Sequence, residues 1–470
     1  MINEDSDANE RVELIKNNPK KAILKLSWPM MLMALFMMGY NIVDTIWVAG
    51  LGINALAALG FITPIYTVIV GLGQGIGAGT TSFLARCIGA EDKVKASNGG
   101  IHAILISFIA SITLPILLII FLKEILILMG ATSVIDLAMD YGIIIFLGSF
   151  TLLFSLLGSS ILRSEGDMKR VTYAMIVTSI LNIILVPIFI YILNMGISGA
   201  AIATVLSSLL STIVIFYWIL KKEDTYIKLR FNDFKFDFAI IKDILNVSLP
   251  ASLEELMLAL SGIGTNVILA YVAGASAVAV YTVGWKIVML GVIPAVGLEM
   301  GILTVAGVAY GAKNWKNLEI GFNYATKIGL TLGVVLAIVS SIFAPQIISI
   351  FTYSGGTESL STSLISFVRI LSLFFIAIPL GLVSTAIFQA AGKGITSFIL
   401  NFIRDIGLTL VSSFLLAVVF SFGEIGVYWG IVFGVSIGSI INYLYFRVFL
   451  KRLKTSSQRN KIYQDIIPAK

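Results

Sequence analysis

Long apolar runs separated by short polar connections dominate this chain. Twelve runs fall at approximately 22 to 49, 54 to 84, 95 to 121, 137 to 160, 171 to 193, 199 to 220, 240 to 272, 278 to 307, 320 to 351, 363 to 389, 396 to 420 and 426 to 449. A hydrocarbon slab about 30 Å thick needs roughly 20 apolar residues per helix, so each run predicts a spanning helix, with tilt absorbing the excess length. Unbroken stretches such as 144 to 162 lack the alternation of a transmembrane β-strand. The predicted class is an all-α membrane protein with twelve transmembrane helices.

Composition agrees. Of 470 residues, 58% are hydrophobic and 12% charged, and the mean hydropathy is +0.99, which excludes a soluble globular domain. The single cysteine, Cys87, permits no intrachain disulfide, and the single histidine, His102, cannot build a His-rich metal centre. No cofactor is expected. Residues 1 to 21 are polar and charged, unlike a cleavable signal peptide, so the first span is predicted to be retained.

Charge sets the orientation. Connections 50 to 53, 194 to 198, 273 to 277, 352 to 362 and 421 to 425 carry no Lys or Arg, and 122 to 136 carries only Lys123. The alternate connections and both termini are basic. Of 32 Lys and Arg, Lys123 falls outside and Lys286, Arg369 and Arg404 lie in or beside spans, leaving 32 − 4 = 28 inside. The positive-inside rule then puts both termini in the cytoplasm of a multi-pass plasma-membrane protein. The net charge of +6 is a topology signal, and no nucleic-acid partner is expected.

The stretch Lys221 to Asp237 divides the chain near its middle, and the halves resemble each other. Val48-Ala49-Gly50 recurs as Val272-Ala273-Gly274, Gly89-Ala90-Glu91-Asp92 as Gly311-Ala312-Lys313-Asn314, and Leu193-Asn194-Met195-Gly196-Ile197-Ser198-Gly199 as Phe420-Ser421-Phe422-Gly423-Glu424-Ile425-Gly426. Three ordered matches at nearly constant offset predict two pseudo-symmetric six-helix bundles, at 22–220 and 240–450, joined by a cytoplasmic linker at 221–239 and flanked by cytoplasmic segments 1–21 and 451–470. Parallel repeats around a central cleft are an architecture for alternating access.

Several motifs resemble the multidrug and toxic compound extrusion family, in the branch found in archaea and many bacteria. They are Ser27-Trp28-Pro29 and Asn41-Ile42-Val43-Asp44-Thr45-Ile46-Trp47 in the first span, Ile161-Leu162-Arg163-Ser164-Glu165-Gly166-Asp167 after the fourth, Leu181-Asn182-Ile183-Ile184-Leu185-Val186-Pro187 in the fifth, Gly199-Ala200-Ala201-Ile202-Ala203-Thr204 in the sixth and Phe388-Gln389-Ala390-Ala391-Gly392-Lys393 in the second half. The resemblance covers roughly residues 20 to 450. It implies export of amphipathic organic compounds, often cationic, in exchange for sodium ions or protons, by a protein that works as a monomer among membrane lipids.

Asp44 is the first site candidate from its own chemistry, because a carboxylate held at depth in a membrane costs on the order of 3 kcal/mol. The resemblance gathers Asn182, Thr204 and Tyr141 with it in one polar pocket of the N-terminal half. Asp44, Asn182 and Thr204 offer the oxygen ligands that a sodium ion prefers. One departure stands out. Archaeal members usually carry a second aspartate one turn after the asparagine, where this chain has Val186. A lone carboxylate cannot share a proton with a partner, so sodium and proton coupling both stay open.

In the second half, Glu254 and Glu255 follow Pro250 and offer a further cation-sensitive carboxylate; adjacent residues point about 100° apart on a helix, so at most one faces a cavity squarely. Lys286 and Arg404 are expected to be structural, paired with Glu299 or Asp405. Gly71, Gly73, Gly75, Gly77 and Gly79 give small-residue faces on which neighbouring helices can approach closely, and Pro29 gives the first span a place to bend. ATP hydrolysis is excluded, because Gly392-Lys393 lacks the rest of a phosphate loop, and no enzyme is expected. The rival function is a lipid or lipid-linked oligosaccharide flippase of the same architecture.

Overall fold

The computed structural model describes residues 4–222, 224–351 and 360–466. Most of the connection expected at 352 to 362, and the last four residues of the tail, lie outside these. The helices are α1 (Glu4–Asn17), α2 (Pro19–Ala49), α3 (Ile53–Gly89), α4 (Lys93–Ile120), α5 (Leu122–Leu128), α6 (Ile135–Leu147), α7 (Ser149–Ser164), α8 (Met168–Pro187), α9 (Gly196–Leu220) and α10 (Phe238–Gly311), followed by α11 (Trp315–Ile342), α12 (Ala344–Phe351), α13 (Ser361–Leu371), α14 (Phe374–Ala390), α15 (Gly394–Phe402), α16 (Thr409–Phe414) and α17 (Gly423–Ile466).

Nine of the described helices are long and apolar enough to cross a membrane, and two pairs bent by 41° and 46° bring the number to eleven. The 74-residue α10 has left-handed backbone at Gly274, φ 75°. At 1.5 Å per residue it would be about 110 Å long, several bilayers deep, so it is two spans joined at that glycine. Eleven plus one gives twelve, and the protein is a multi-pass membrane protein.

The repeat is written into the backbone. Apart from Gly130, the left-handed residues among those described occur in pairs, Gly52 with Gly274, Glu91 with Lys313, Gly166 with Gly392, Asn194 with Ser421 and Gly196 with Gly423. Asp92 caps α4 by accepting from Lys95 N–H, and Asn314 caps α11 by accepting from Asn317 N–H. Two of the three turn matches seen in the sequence are therefore matches of conformation; the third, Gly50 with Gly274, is two residues out of register, because the left-handed residue of that turn is Gly52. Such turns need residues that tolerate φ above zero, chiefly Gly, Asn and Asp.

Two compact units emerge, one of residues 1–15 and 28–256, the other of residues 16–27 and 257–470. The linker 221–239 belongs to the first unit rather than standing between two. Its backbone is pinned there, with Tyr226 and Ile227 N–H donating to Glu165 (2.7 and 3.1 Å), Arg230 N–H to Ser97 (2.9 Å) and Asp237 N–H to His102 Nε2 (2.9 Å). The start of the seventh span also stays with the first unit, and the start of the first span goes with the second. The N-terminal segment, expected to be merely polar, is the amphipathic helix α1, which buries Ala8, Val12 and Ile15. Arg11, beside that apolar stripe, lies 3.5 Å from Glu165 and 3.3 Å from Asp167.

Each unit has its own apolar core. The first gathers Ile62, Ile69, Phe146 and Val186, all fully buried, and the second Leu269, Phe367, Leu371 and Tyr428.

Candidate functional site

The glycines of α3 let two helices close on it. Gly71, Gly75 and Gly79 lie one turn apart and face α10, where a Cβ would come within 2.9 Å of Glu255 Cβ, 2.0 Å of Ser252 Oγ and 2.1 Å of Ser248 Oγ. Gly73 and Gly77 face α7, where a Cβ would meet Leu156 Cδ1 at 2.6 Å and Ser160 Oγ at 2.5 Å. Both faces of the small-residue stripe are in use, as static close packing.

Beside this packing lies a cavity of about 100 Å³, walled by α2, α3, α7, α8 and α9, roomy enough for several waters. Met33, Met37 and Met175 give it a soft apolar side; Gln74, Ser155, Ser159, Thr178, Ser179, Asn182, Thr204, Ser207 and Ser211 give it a polar one. The polar side has a definite sense. Thr178, Ser179, Thr204 and Ser207 donate their hydroxyl protons to the carbonyls of Ala174, Met175, Ala200 and Ala203, four residues back (2.7 to 3.0 Å). A hydroxyl whose proton is used on its own helix can offer a ligand only lone pairs. Asn182 Nδ2 donates to Thr204 Oγ1 at 3.2 Å, while its buried Oδ1 accepts nothing. The stretch of wall on α8 and α9 therefore presents acceptors. Arg163 closes one end, donating to Ser160 Oγ at 2.8 Å.

Asp44 stands next to this wall rather than in it. Its neighbours Asn41 and Thr45 turn their side chains back onto α2, donating to Met37 and Asn41 carbonyls. The Asp44 carboxylate keeps a buried Oδ1 that accepts no hydrogen bond. Tyr40, one turn before Asp44, lines the cavity.

Of the predicted set, one pair is in direct contact. Asn182 and Thr204 are bonded to each other, and neither Asp44 nor Tyr141 is among the residues that line their cavity. Tyr141 itself is buried in the apolar core with Val186, which is fully buried. Glu254 and Glu255 fall in the first unit, on the stretch of α10 that packs against α3, and neither lines the cavity. Arg404 pairs with Asp405 through bonds of 2.7 and 2.9 Å, as the structural expectation had it, whereas Lys286 is exposed. Inspection of the sequence missed Tyr40, Gln74, Arg163 and the serines. Their signal was polar residues spaced i, i+4 on apolar spans: Ser155 with Ser159, Thr178 with Asn182, Thr204 with Ser208, Ser207 with Ser211.

The acceptors present suit a monovalent cation. Asp44 and Asn182 each hold an unsatisfied oxygen, and Thr204 adds a hydroxyl oxygen, all hard donors of the kind that alkali and alkaline-earth ions prefer.

Comparison with known proteins places this geometry. The family model MatE matches residues 29–188 and 250–415. A probable multidrug resistance protein of Bacillus subtilis, YoeA, is 28% identical over 315 residues, covering 64% of this chain and 66% of its own length. The multidrug export protein MepA of Staphylococcus aureus is 25% identical over 427 residues, 89% of this chain and 91% of that one. A solved structure of a transporter of the MOP superfamily from Pyrococcus furiosus, described by the reverse polarity of its binding pocket, superposes with a TM-score of 0.91 at 38% identity over 94% of this chain and 98% of its own.

Proposed function

Since the chain belongs to the MatE family, whose members are transporters and not enzymes, we propose that this multidrug efflux transporter is a secondary active exporter. It exchanges protons or sodium ions for amphipathic, chiefly cationic, organic compounds. The observation that carries this reading is the sense of the cavity wall. The lone pairs of Thr178, Ser179, Asn182, Thr204 and Ser207 attract a group that carries positive charge or N–H donors, and the methionines opposite offer polarizable contact to an apolar body. MepA and YoeA, both named for multidrug export or resistance, support the same substrate class.

Coupling follows from competition. A proton or a sodium ion neutralises Asp44, and a cationic substrate then loses its strongest attraction, so the ion and the drug exclude each other. Protonated Asp44 also becomes a donor, able to serve the orphaned acceptors beside it. The exchange further requires helices that bend. The chain passes between its two compact units inside spans, after Ser27 and after Leu256, and Pro29 and Pro250 lie close to those points, each removing a backbone bond from its helix. A flippase for pyrophosphate-linked lipids is disfavoured by the same wall, where Arg163 is the lone cation among the lining residues.

The test is export from vesicles with sodium and pH gradients imposed separately. Asp44→Asn keeps the shape and removes the charge; it should lower export by about tenfold or more while the detergent-extracted protein melts as the parent does. Export that survives Asp44→Asn overturns the assignment, and loss of the folded protein makes Asp44 structural.

A further inference from the structure

A second cavity, of about 310 Å³, lies in the first unit at the face that carries the basic connections. Three of its lining residues are cations, Lys93 at the start of α4 and Lys228 and Arg230 on the linker, against one acid, Asp233. The cations are exposed, but the backbone that carries them is fixed. Arg230 N–H donates to Ser97 Oγ at 2.9 Å, and Asn98 holds Lys235 from both sides, donating to its carbonyl (2.8 Å) and accepting from its N–H (3.3 Å). The buried Glu165 carboxylate holds the other end of the linker through Tyr226 and Ile227 N–H. Helix α1 contributes Ala8 and Asn9 to the wall. Lys93 Nζ sits 4.5 Å from the centre of the Tyr226 ring, which keeps its ammonium turned toward the linker.

The surroundings say what kind of anion reaches this place. Val94 on α4 and Phe231, Phe236 and Phe238 on the linker are exposed. Apolar and aromatic side chains standing free next to the end of a spanning helix match the headgroup level of a bilayer, and basic pockets at that level take lipid phosphate.

We propose that this cavity binds a phosphate group, held by Lys93, Lys228 and Arg230. The exposed apolar rim favours the phosphodiester of an anionic phospholipid as its source, with a soluble phosphate compound as the other. The site is separate from the transport cavity, and nothing in its chemistry depends on what the protein exports.

The experiment uses the full chain in nanodiscs and in detergent. Binding is read by native mass spectrometry and by the melting temperature, with phosphatidylglycerol, phosphatidylcholine and inorganic phosphate as probes. Phosphatidylglycerol should bind and stabilise where phosphatidylcholine does not. Each cation removed should weaken binding about fivefold, so Lys228→Ala with Arg230→Ala costs on the order of 25-fold. Asp233→Asn removes the opposing charge and should tighten binding by a few-fold, a gain that a misfolded variant cannot mimic. Stabilisation by inorganic phosphate alone, lost in the double variant, keeps the site and assigns it to a soluble ligand. No binding of either anion, or binding that ignores all three substitutions, overturns the proposal.

Discussion

The two halves follow the same backbone path and fill it in opposite ways. Left-handed turns run in step along both, offset by 222 residues at Gly52/Gly274 and Glu91/Lys313, by 226 at Gly166/Gly392 and by 227 at Asn194/Ser421. Each half ends its fifth span in a π-helical turn, Ile188–Ile192 and Leu415–Val419. Between the last two offsets the second half gains one residue. Such an insertion into a helix is what a π-bulge absorbs, and the second half has a further one, Ile403–Leu408. That bulge carries Arg404 and Asp405. Where the first half keeps open acceptors around Asn182, the second closes a buried ion pair, with Arg404 pressed against Gly438 and Gly381. A pocket in the second unit, beside Pro379 and Phe375, has a volume of about 10 Å³ and an apolar wall, against about 100 Å³ in the first. The second half thus closes an ion pair on its extra π-helical turn, where the first leaves the Asn182 Oδ1 without a donor.

The largest effect should come from breaking that pair. Arg404 and Asp405 are both buried, so Asp405→Ala leaves a guanidinium in an apolar interior and should cost about 3 to 5 kcal/mol, read as a collapse of the melting transition in detergent. Arg404→Met with Asp405→Leu removes both charges and should recover most of that loss. The contrast with Asp44→Asn is the point of the comparison, since one substitution destroys the fold and the other only transport. A protein carrying Asp405→Ala that melts normally would place the second half's charges among the functional ones.

How far the sequence foretold this difference varies with the kind of signal. Spanning helices are legible because twenty apolar residues have few other uses, and Asp44 stands out in the sequence as a candidate because charge at depth is costly. The turns were legible as short matches, since left-handed backbone restricts which residues can stand there. The π-bulge was not, because inserting one apolar residue between Asn401 and Thr409 leaves hydropathy unchanged. The hydroxyl wall was not, because a serine bonded to its own helix is common in spans and its function depends on which neighbours leave room. The assignment of residues 16–27 and 238–256 to units other than those of the spans they begin had no sequence signal either, since the boundaries after Ser27 and after Leu256 fall inside the uninterrupted helices α2 and α10. Val186, flagged as a missing carboxylate, proves to be core.

An intermediate effect should separate two related glycines. At Gly79 a Cβ would lie 2.6 Å from the Ile244 carbonyl and 3.0 Å from Ser248 N, backbone that cannot step aside; at Gly301 it would lie 2.4 Å from the Ser27 hydroxyl, with backbone no nearer than 3.4 Å. Gly79→Ala should therefore cost about 2 to 3 kcal/mol, and Gly301→Ala less than about 1 kcal/mol once Ser27 changes rotamer. Equal costs in melting experiments would mean that the helix–helix contacts of the two halves yield alike.

The smallest effect concerns the connection after the fourth span, where the halves also part. Gly166 and Gly392 make the same left-handed turn, yet the residue before it is Glu165 in one and Ala391 in the other. Burial pushes the Glu165 carboxyl up to about 7, against the pull of Arg11 and of the Tyr226 and Ile227 N–H groups. A carboxyl whose folded pKa lies above its unfolded one binds its proton more tightly in the fold. Its stabilising contribution is then complete below the unfolded value near 4.5 and is lost as pH rises to about 7. Between pH 5.5 and 8 the first unit should lose on the order of 2 kcal/mol, seen as a melting temperature that falls with pH and levels off above 7. Glu165→Gln holds the neutral form at every pH and should flatten that slope, whereas Ala391→Gly, at the matching turn, should leave it as it is. A slope that persists in Glu165→Gln would move the titration to another group and leave Glu165 as a plain partner of Arg11.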